Sequence, residues 1–376
     1  MWAEFPAKSD LGSPGRQTAM QGPARAPRSG VLLWLLVCMV VLGIGSFWPS
    51  SEPTEPLGPM EPGESDTFGI DSEGRGLARF RPGGRTLGWV AAAPRELLPA
   101  ADGCLMAGQL DKATSERAGL SRLFETLGRS PTGANLLREA AARGVRVCVD
   151  RTTNLLAYYF ANMNVIGVSW ALSEGGRVIF LAHELAHIPQ HPRYSDNRYF
   201  PPTDLVLLRR VREAVAEATA TRIAWELSQV GFTAAWKEKL VTPYADVAKA
   251  FARTVVYQTG TEVLALATRA AFDQWFAVPW RRDVYDRMTI AHLQRIATDS
   301  MGLVPARRAI SDRFLERIGR LGGENFLAGA SLWPLTGAYY AGNLSVENAR
   351  HIKRLGQLTE ASRRPSFAQG GLADGA

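Results

Sequence analysis

Apolar and polar positions alternate with two different periods along the chain. Ser115–Leu127 and Thr132–Arg143 repeat their apolar residues every three or four positions, which predicts two helices, the second ending at Gly144. Val145–Val149, interrupted by Arg146 and Cys148, has the two-residue period of a strand, and Arg85–Ala92 reads as another. Leu155–Trp170 is rich in Tyr, Val and Asn and predicts one or two further strands. Beyond Glu174 the period is helical almost without interruption to about Leu358. The expected fold is therefore α+β and mostly α-helical: a small sheet, then a set of helices that carries the candidate chemistry, then a helical C-terminal part. Gly323–Gly342, nearly uncharged and holding Pro334 and several Gly, is expected to be a buried or cleft-lining loop.

One stretch has no polar face at all. Val31–Trp48 is 18 uncharged, mostly apolar residues, enough to cross a bilayer as a helix. Basic residues precede it and acidic ones follow, which places residues 1–30 as a cytoplasmic leader and the remainder outside the cytoplasm. Two outcomes are open: a single-pass membrane anchor at 31–48, or a signal cleaved near Gly43-Ile44-Gly45, which would leave a secreted protein. Pro49, Pro53, Pro56, Pro59 and Pro62 recur among acids, so 49–75 reads as an extended, solvated linker. The folded domain is expected over 76–358, and 359–376 as a polar, disordered tail.

Charge changes meaning once it is divided along the chain. The whole chain of 376 residues carries +7, with a pI near 9.5. The leader holds +2, the linker −6, and residues 76–376 hold +11. An excess of Arg outside the cytoplasm points to anionic headgroups, acidic substrates or cell-wall polymers. Together with the absence of a nucleic-acid motif, that topology argues against nucleic acid as a partner. Three cysteines exclude a disulfide-rich scaffold and a four-thiolate metal site. Cys104 and Cys148, the two outside the apolar stretch, either pair in an oxidising compartment or remain as two buried thiols.

The chemistry concentrates in Phe180-Leu181-Ala182-His183-Glu184-Leu185-Ala186-His187, an H-E-x-x-H sequence on a helical pattern. Residues four apart share a helix face, so His183 and His187 can direct their imidazoles at one ion. Glu184 lies about 100° around the helix, placed to reach a water on that ion as general base without ligating it. Pro189 ends this helix just after Ile188. A second helix, starting with Thr203 or Asp204 as N-cap and running from Leu205 to about Ser228, carries Arg212-Glu213-Ala214-Val215-Ala216-Glu217-Ala218, with Glu213 and Glu217 on one face. A catalytic zinc needs a third protein ligand and an open position.

H-E-x-x-H followed by such a helix resembles the gluzincin zinc metallopeptidases, and also an uncharacterised group of bacterial membrane-tethered metallopeptidases. The resemblance covers roughly residues 174–228. It implies zincin-like active-site helices that hold one Zn²⁺ through His183, His187 and Glu213, with Glu184 as the base. It also implies that Glu217 orients a ligating histidine, His183 in the first instance. In the main variant Glu217 is the third ligand and Glu213 stands outside. Two departures are Pro189, unusually close to the motif, and Glu at 217 where many gluzincins have Asp. The resemblance further implies a substrate strand, for which Asn164–Trp170 is expected as a sheet edge that pairs with a peptide. The oxyanion donor is open among His191, Tyr194, Tyr199, Arg212, Tyr257 and His292. Trp275, Trp280 and Trp333 are expected in the core.

The leading expectation is a membrane-anchored zinc metallopeptidase acting on protein or peptide substrates outside the cytoplasm. A cell-wall amidase would share the same site. A non-catalytic membrane-anchored scaffold is the third reading. Intramembrane proteolysis is disfavoured, because the motif helix is short and starts at Glu174, Gly175, Gly176 and Arg177.

Overall fold

A computed structural model of the chain describes residues 101–151, 155–190, 200–298, 309–328 and 333–361. All of them belong to one compact unit. The expected leader (1–30), span (31–48), linker (49–75), strand at Arg85–Ala92 and residues 362–376 of the expected tail lie outside the described residues, while 359–361, expected in that tail, continue the last helix. Among the described residues no helix is long and apolar enough to cross a membrane.

The fold is α+β and mostly helical. Four short strands, β1 (Cys104–Met106), β2 (Arg146–Asp150), β3 (Ala157–Phe160) and β4 (Val165–Ser169), form one sheet in the order β1-β2-β4-β3. β2 and β4 run parallel, and the two outer pairings are antiparallel. The edge expected at Asn164–Trp170 is thereby corrected: β4 is paired on both sides, and the outer strands are β1 and β3. The reason is local. Asn164 adopts a positive φ of 52° in the turn that brings β4 back beside β3. Every residue of β4 is buried, which suits an interior strand. Tyr158 lies across Gly167, where a Cβ would come within 2.2 Å of its ring, and its hydroxyl donates to Asp150 Oδ2 at 2.8 Å. Cys104 stands opposite Cys148 across β1 and β2, and the two form a disulfide with Cα atoms 4.0 Å apart.

Helices α1 (Ser115–Gly128) and α2 (Pro131–Ala142) start where Thr114 and Ser130 accept hydrogen bonds from the Arg117 and Gly133 amides. With α3 (Glu174–His187) and the sheet they enclose a first core that includes Leu120, Phe124, Leu136, Val147, Ile166, Val178 and Leu181. The long helix α4 (Pro202–Gln229) is shared. Its Ala216, Ala220, Ile223 and Leu227 join the first core, whereas Leu207, Leu208, Val211, Ala214 and Val215 join a second. A helix with no solvent face has to satisfy its polar side chains internally. α4 does not begin with a Thr203 or Asp204 cap: Pro201 occupies the cap and Pro202 the first turn, where a missing N–H is harmless. The Asp204 carboxylate instead accepts from the Ile310 amide at 2.7 Å.

The short α5 (Ala234–Val241) docks between α3 and α4. Gly175 of α3 lies so close that a Cβ there would meet the Ala234 carbonyl oxygen at 2.5 Å. Ser173 Oγ donates to Glu238 Oε2 at 2.7 Å, and Trp236 packs edge-on against Trp225 of α4. The second core is completed by α6 (Ala245–Tyr257), α7 (Val263–Phe276), α8 (Pro279–Thr298), α9 (Asp312–Glu316), the strand pair β5 (Arg320–Leu321) and β6 (Glu324–Asn325), and α10 (Ala338–Ala341). α11 (Val346–Ala361) packs on α8 through Ile352, Leu355, Ile290 and Leu293. Within the stretch from Gly323 to Gly342, Phe326, Leu327, Leu335 and Tyr340 are buried in the second core. Trp275 is a core residue and Trp280 is partly buried, but Trp333 is exposed, which corrects its expected place. Arg210 of α4 is fully buried. Its Nε and Nη2 donate to Asp286 at 2.7 and 2.6 Å, and its Nη1 donates to the Tyr340 and Gly342 carbonyls, both at 2.8 Å.

Candidate metal centre

α3 owes its start to Ser173, whose Oγ accepts from the Gly176 amide at 2.9 Å. It ends at His187, with Ile188 as the cap and Pro189 beyond it. Its last two turns carry His183, Glu184 and His187, all at most 4% exposed. The two imidazoles are 5.0 Å apart between ring centroids and nearly perpendicular. α4 packs against α3 through Ala216 and Ala220, small residues that allow a close approach.

Glu213 faces both rings from α4. Its Oε2 lies 3.4 Å from His183 Nε2, and its Oε1 lies 3.7 Å from His187 Nε2. One donor atom from each of His183, His187 and Glu213 falls within 4.8 Å of the others. Ligands about 2.0–2.1 Å from a tetrahedral metal ion are roughly 3.3 Å from one another, and the two Glu213 contacts, at 3.4 and 3.7 Å, lie near that separation.

The rear nitrogens of both rings are engaged. His183 Nδ1 lies 3.3 Å from Glu217 Oε2, while Lys239 of α5 donates to Glu217 Oε1 at 2.5 Å. His187 Nδ1 lies 2.9 Å from Gln190 Oε1, and the Gln190 amide donates to the Arg212 carbonyl at 3.1 Å. Both rings therefore have an acceptor behind Nδ1, and both turn Nε2 towards the Glu213 carboxylate.

The electrostatics favour a cation at this point. Burial alone would disfavour a charged His183, but hydrogen bonds to Glu213 and Glu217 outweigh it and push the ring up to about 10. Burial lowers His187 to about 3. Against the effect of burial, Arg209 and the two histidines hold Glu213 well below the usual carboxylate range. Arg209 Nη2 is 2.8 Å from Glu213 Oε1. Glu217 is likewise held at about 2, against burial, chiefly by Lys239. Glu184 goes the other way: burial and the Glu213 charge outweigh His183 and Arg209 and raise it to about 7. A carboxylate poised near neutrality can take and return a proton.

The structure thus brings together His183, Glu184, His187, Glu213 and Glu217, with Glu213 facing both Nε2 atoms and Glu217 behind His183. Among the expected oxyanion donors, Arg212 is buried and donates to the Gln190 carbonyl at 3.1 Å. Tyr257 is 79% exposed at the end of α6 and is not part of the cluster. His292 is held at about 4 by burial and by Arg295 and Arg209. His191, Tyr194 and Tyr199 lie outside the described residues. Sequence reasoning missed Gln190, Arg209, Lys239 and the tyrosines 244 and 285. Tyr244 and Tyr285, buried with hydroxyls 3.5 Å apart, have their phenols raised by burial and by nearby Glu217 and Glu213. Arg209 carried a signal, since it lies four residues before Glu213 on one helix face. The others come from elements whose packing no local pattern announces.

Residues 97–327 match the model of a family described as "Putative metallopeptidase family (DUF6782)". No curated protein matches the chain, and no solved structure does.

Proposed function

The chain belongs to this putative metallopeptidase family, and from that premise we propose that it is a zinc-dependent peptidase of the gluzincin type. His183, His187 and Glu213 would hold the ion, as two imidazoles and one carboxylate are a donor set that suits zinc. A bound zinc would supply Lewis acidity, polarising a carbonyl and lowering the pKa of water towards about 7. Glu184 would accept a proton from the attacking water and deliver it to the departing amine nitrogen. Glu217 and Gln190 would hold the two rings in place from behind. The observation that carries the reading is the convergence of His183 Nε2, His187 Nε2 and the Glu213 carboxylate from two different helices.

The site of action belongs to the same proposal. Residues 31–48 would anchor the chain, with the peptidase domain outside the cytoplasm acting on protein or peptide substrates. Support comes from the apolar run, the charge on either side of it, and the Cys104–Cys148 disulfide, a bond suited to an oxidising compartment.

The test is metal analysis and peptide hydrolysis on the purified chain beside its Glu184→Gln variant. The variant should keep stoichiometric zinc and lose turnover by about 10²–10⁴-fold. Retained hydrolysis would remove Glu184 from its role, and an absence of stoichiometric zinc in the wild type would sink the metal centre. Cleavage of cell-wall amides but not of peptides would favour the amidase reading instead.

A further inference from the structure

The chain has only six lysines against 37 arginines, and among the described residues Lys239 is the only buried lysine, at 3% exposure. It sits on α5, an eight-residue helix that buries only Ala235 and Lys239, four residues apart on one face. The apolar member of that pair joins the first core. The charged member reaches past it to Glu217 Oε1 at 2.5 Å. The other oxygen of the same carboxylate faces His183 Nδ1 at 3.3 Å. Glu217 is thereby gripped from two sides, and the orientation of its plane depends on both partners.

Stability alone does not explain this arrangement. Desolvating an ammonium and a carboxylate costs about as much as the pair returns, and an apolar pair of similar volume is often at least as stable. A positioning task does explain it. An ammonium is a compact charge on a flexible stem and can end on one carboxylate oxygen, whereas a guanidinium fork tends to take both. Lysine at 239 leaves Oε2 to the histidine. The elements that aim it are in place: Gly175 admits α5 against α3, Ser173 holds Glu238, and Trp236 rests on Trp225.

We propose that Lys239 is a positioning residue of the metal centre, acting through Glu217 to hold His183 in its ligating orientation. The inference rests on the zinc reading of His183, His187 and Glu213. It makes α5 part of the site, although α5 supplies no ligand.

The test uses the full-length chain and measures zinc affinity by competition with a chromogenic chelator, together with the absorption spectrum of the cobalt(II)-loaded protein. Lys239→Met should weaken zinc by about 10–100-fold, the loss typical when an outer partner of a ligating histidine is removed, and should shift the cobalt bands. Lys239→Arg, which keeps the charge but tends to take both carboxylate oxygens, should recover only part of the affinity. Glu217→Gln should weaken zinc to a similar degree, and adding Lys239→Met to it should weaken zinc no further, because the lysine acts through the glutamate. If Lys239→Met alone does not fold, the comparison of Glu217→Gln with the double variant, in which both charges are gone, decides the matter with Lys239→Arg. Wild-type affinity and an unmoved cobalt spectrum in folded Lys239→Met would overturn the proposal and leave the zinc reading standing. A double variant much weaker than Glu217→Gln would overturn it as well. A wild-type chain that binds no zinc would overturn both.

Discussion

Glu213 Oε2 stands 3.4 Å from His183 Nε2, although the two residues come from different helices and neither is more than 4% exposed. Such a contact between buried groups needs a cation or a proton to hold it. Glu213→Gln keeps the volume and removes the charge. Zinc affinity measured by chelator competition should fall by more than about a hundredfold, beyond the loss expected for an outer partner. A variant that binds zinc as tightly as the wild type would remove Glu213 from the ligand set.

Gln190 offers a milder perturbation behind the other ring. Its Oε1 faces His187 Nδ1 at 2.9 Å, and its own orientation is set by the Arg212 carbonyl. Gln190→Ala should weaken zinc by about tenfold while leaving the fold intact, since a neutral partner orients the ring without carrying charge. Isothermal titration with zinc checks this, and an unchanged affinity would show that His187 needs no help.

Arg210 and Asp286 supply a stability prediction away from the metal. Asp286→Ala leaves a fully buried guanidinium with only carbonyl partners, a change that typically costs about 3–5 kcal/mol. Urea unfolding monitored by tryptophan fluorescence should show a correspondingly lower midpoint. A loss below about 1 kcal/mol would mean that water or another acid replaces the aspartate.

His292 sets a pH window. Burial, then Arg295 and Arg209, depress it from 6.5 to about 4 in the folded chain. The unfolded chain therefore takes up this proton first as pH falls. Its contribution to stability is intact above about 6.5 and declines as pH drops towards 4. His292→Gln should flatten the stability profile between pH 6.5 and 4, read from melting temperatures across that range. An identical acid limb in the variant would show that other groups dominate it.

The Cys104–Cys148 bond closes a loop across 44 residues. A cross-link of that span contributes about 2–4 kcal/mol, mainly by restricting the unfolded chain. Unfolding in the presence of a strong reductant should shift by that amount, with mass spectrometry confirming the loss of the bond. No shift on full reduction would mean that the β1–β2 pairing holds unaided.

The sequence showed the chemistry more clearly than the surroundings. His183, Glu184 and His187 sit on a helix period, and Glu213 and Glu217 on another, so their faces were legible from spacing alone. The helical C-terminal half was legible for the same reason. The strand order was not: Val165–Ser169 is apolar on both faces, and that pattern does not say which neighbours flank it. Trp333 was expected inside by its residue type, yet it is 66% exposed, because burial depends on what packs over a turn. Lys239 gave no signal either. It is one of two lysines in a short helix, and only the approach of α5 to Gly175 and Trp225 turns it, and not Lys237, towards Glu217.

Arg210 has a consequence for where the working unit ends. Its Nη1 is held by the carbonyls of Tyr340 and Gly342, which lie beyond residue 327, the last residue of the family match. Glu213 is one helical turn further along the same helix. A chain cut at residue 327 would take two acceptors from a buried guanidinium, one helical turn from a proposed ligand. A fragment that keeps every partner of Arg210 therefore extends to Gly342, so the end of the family match is not the end of the packing that surrounds α4.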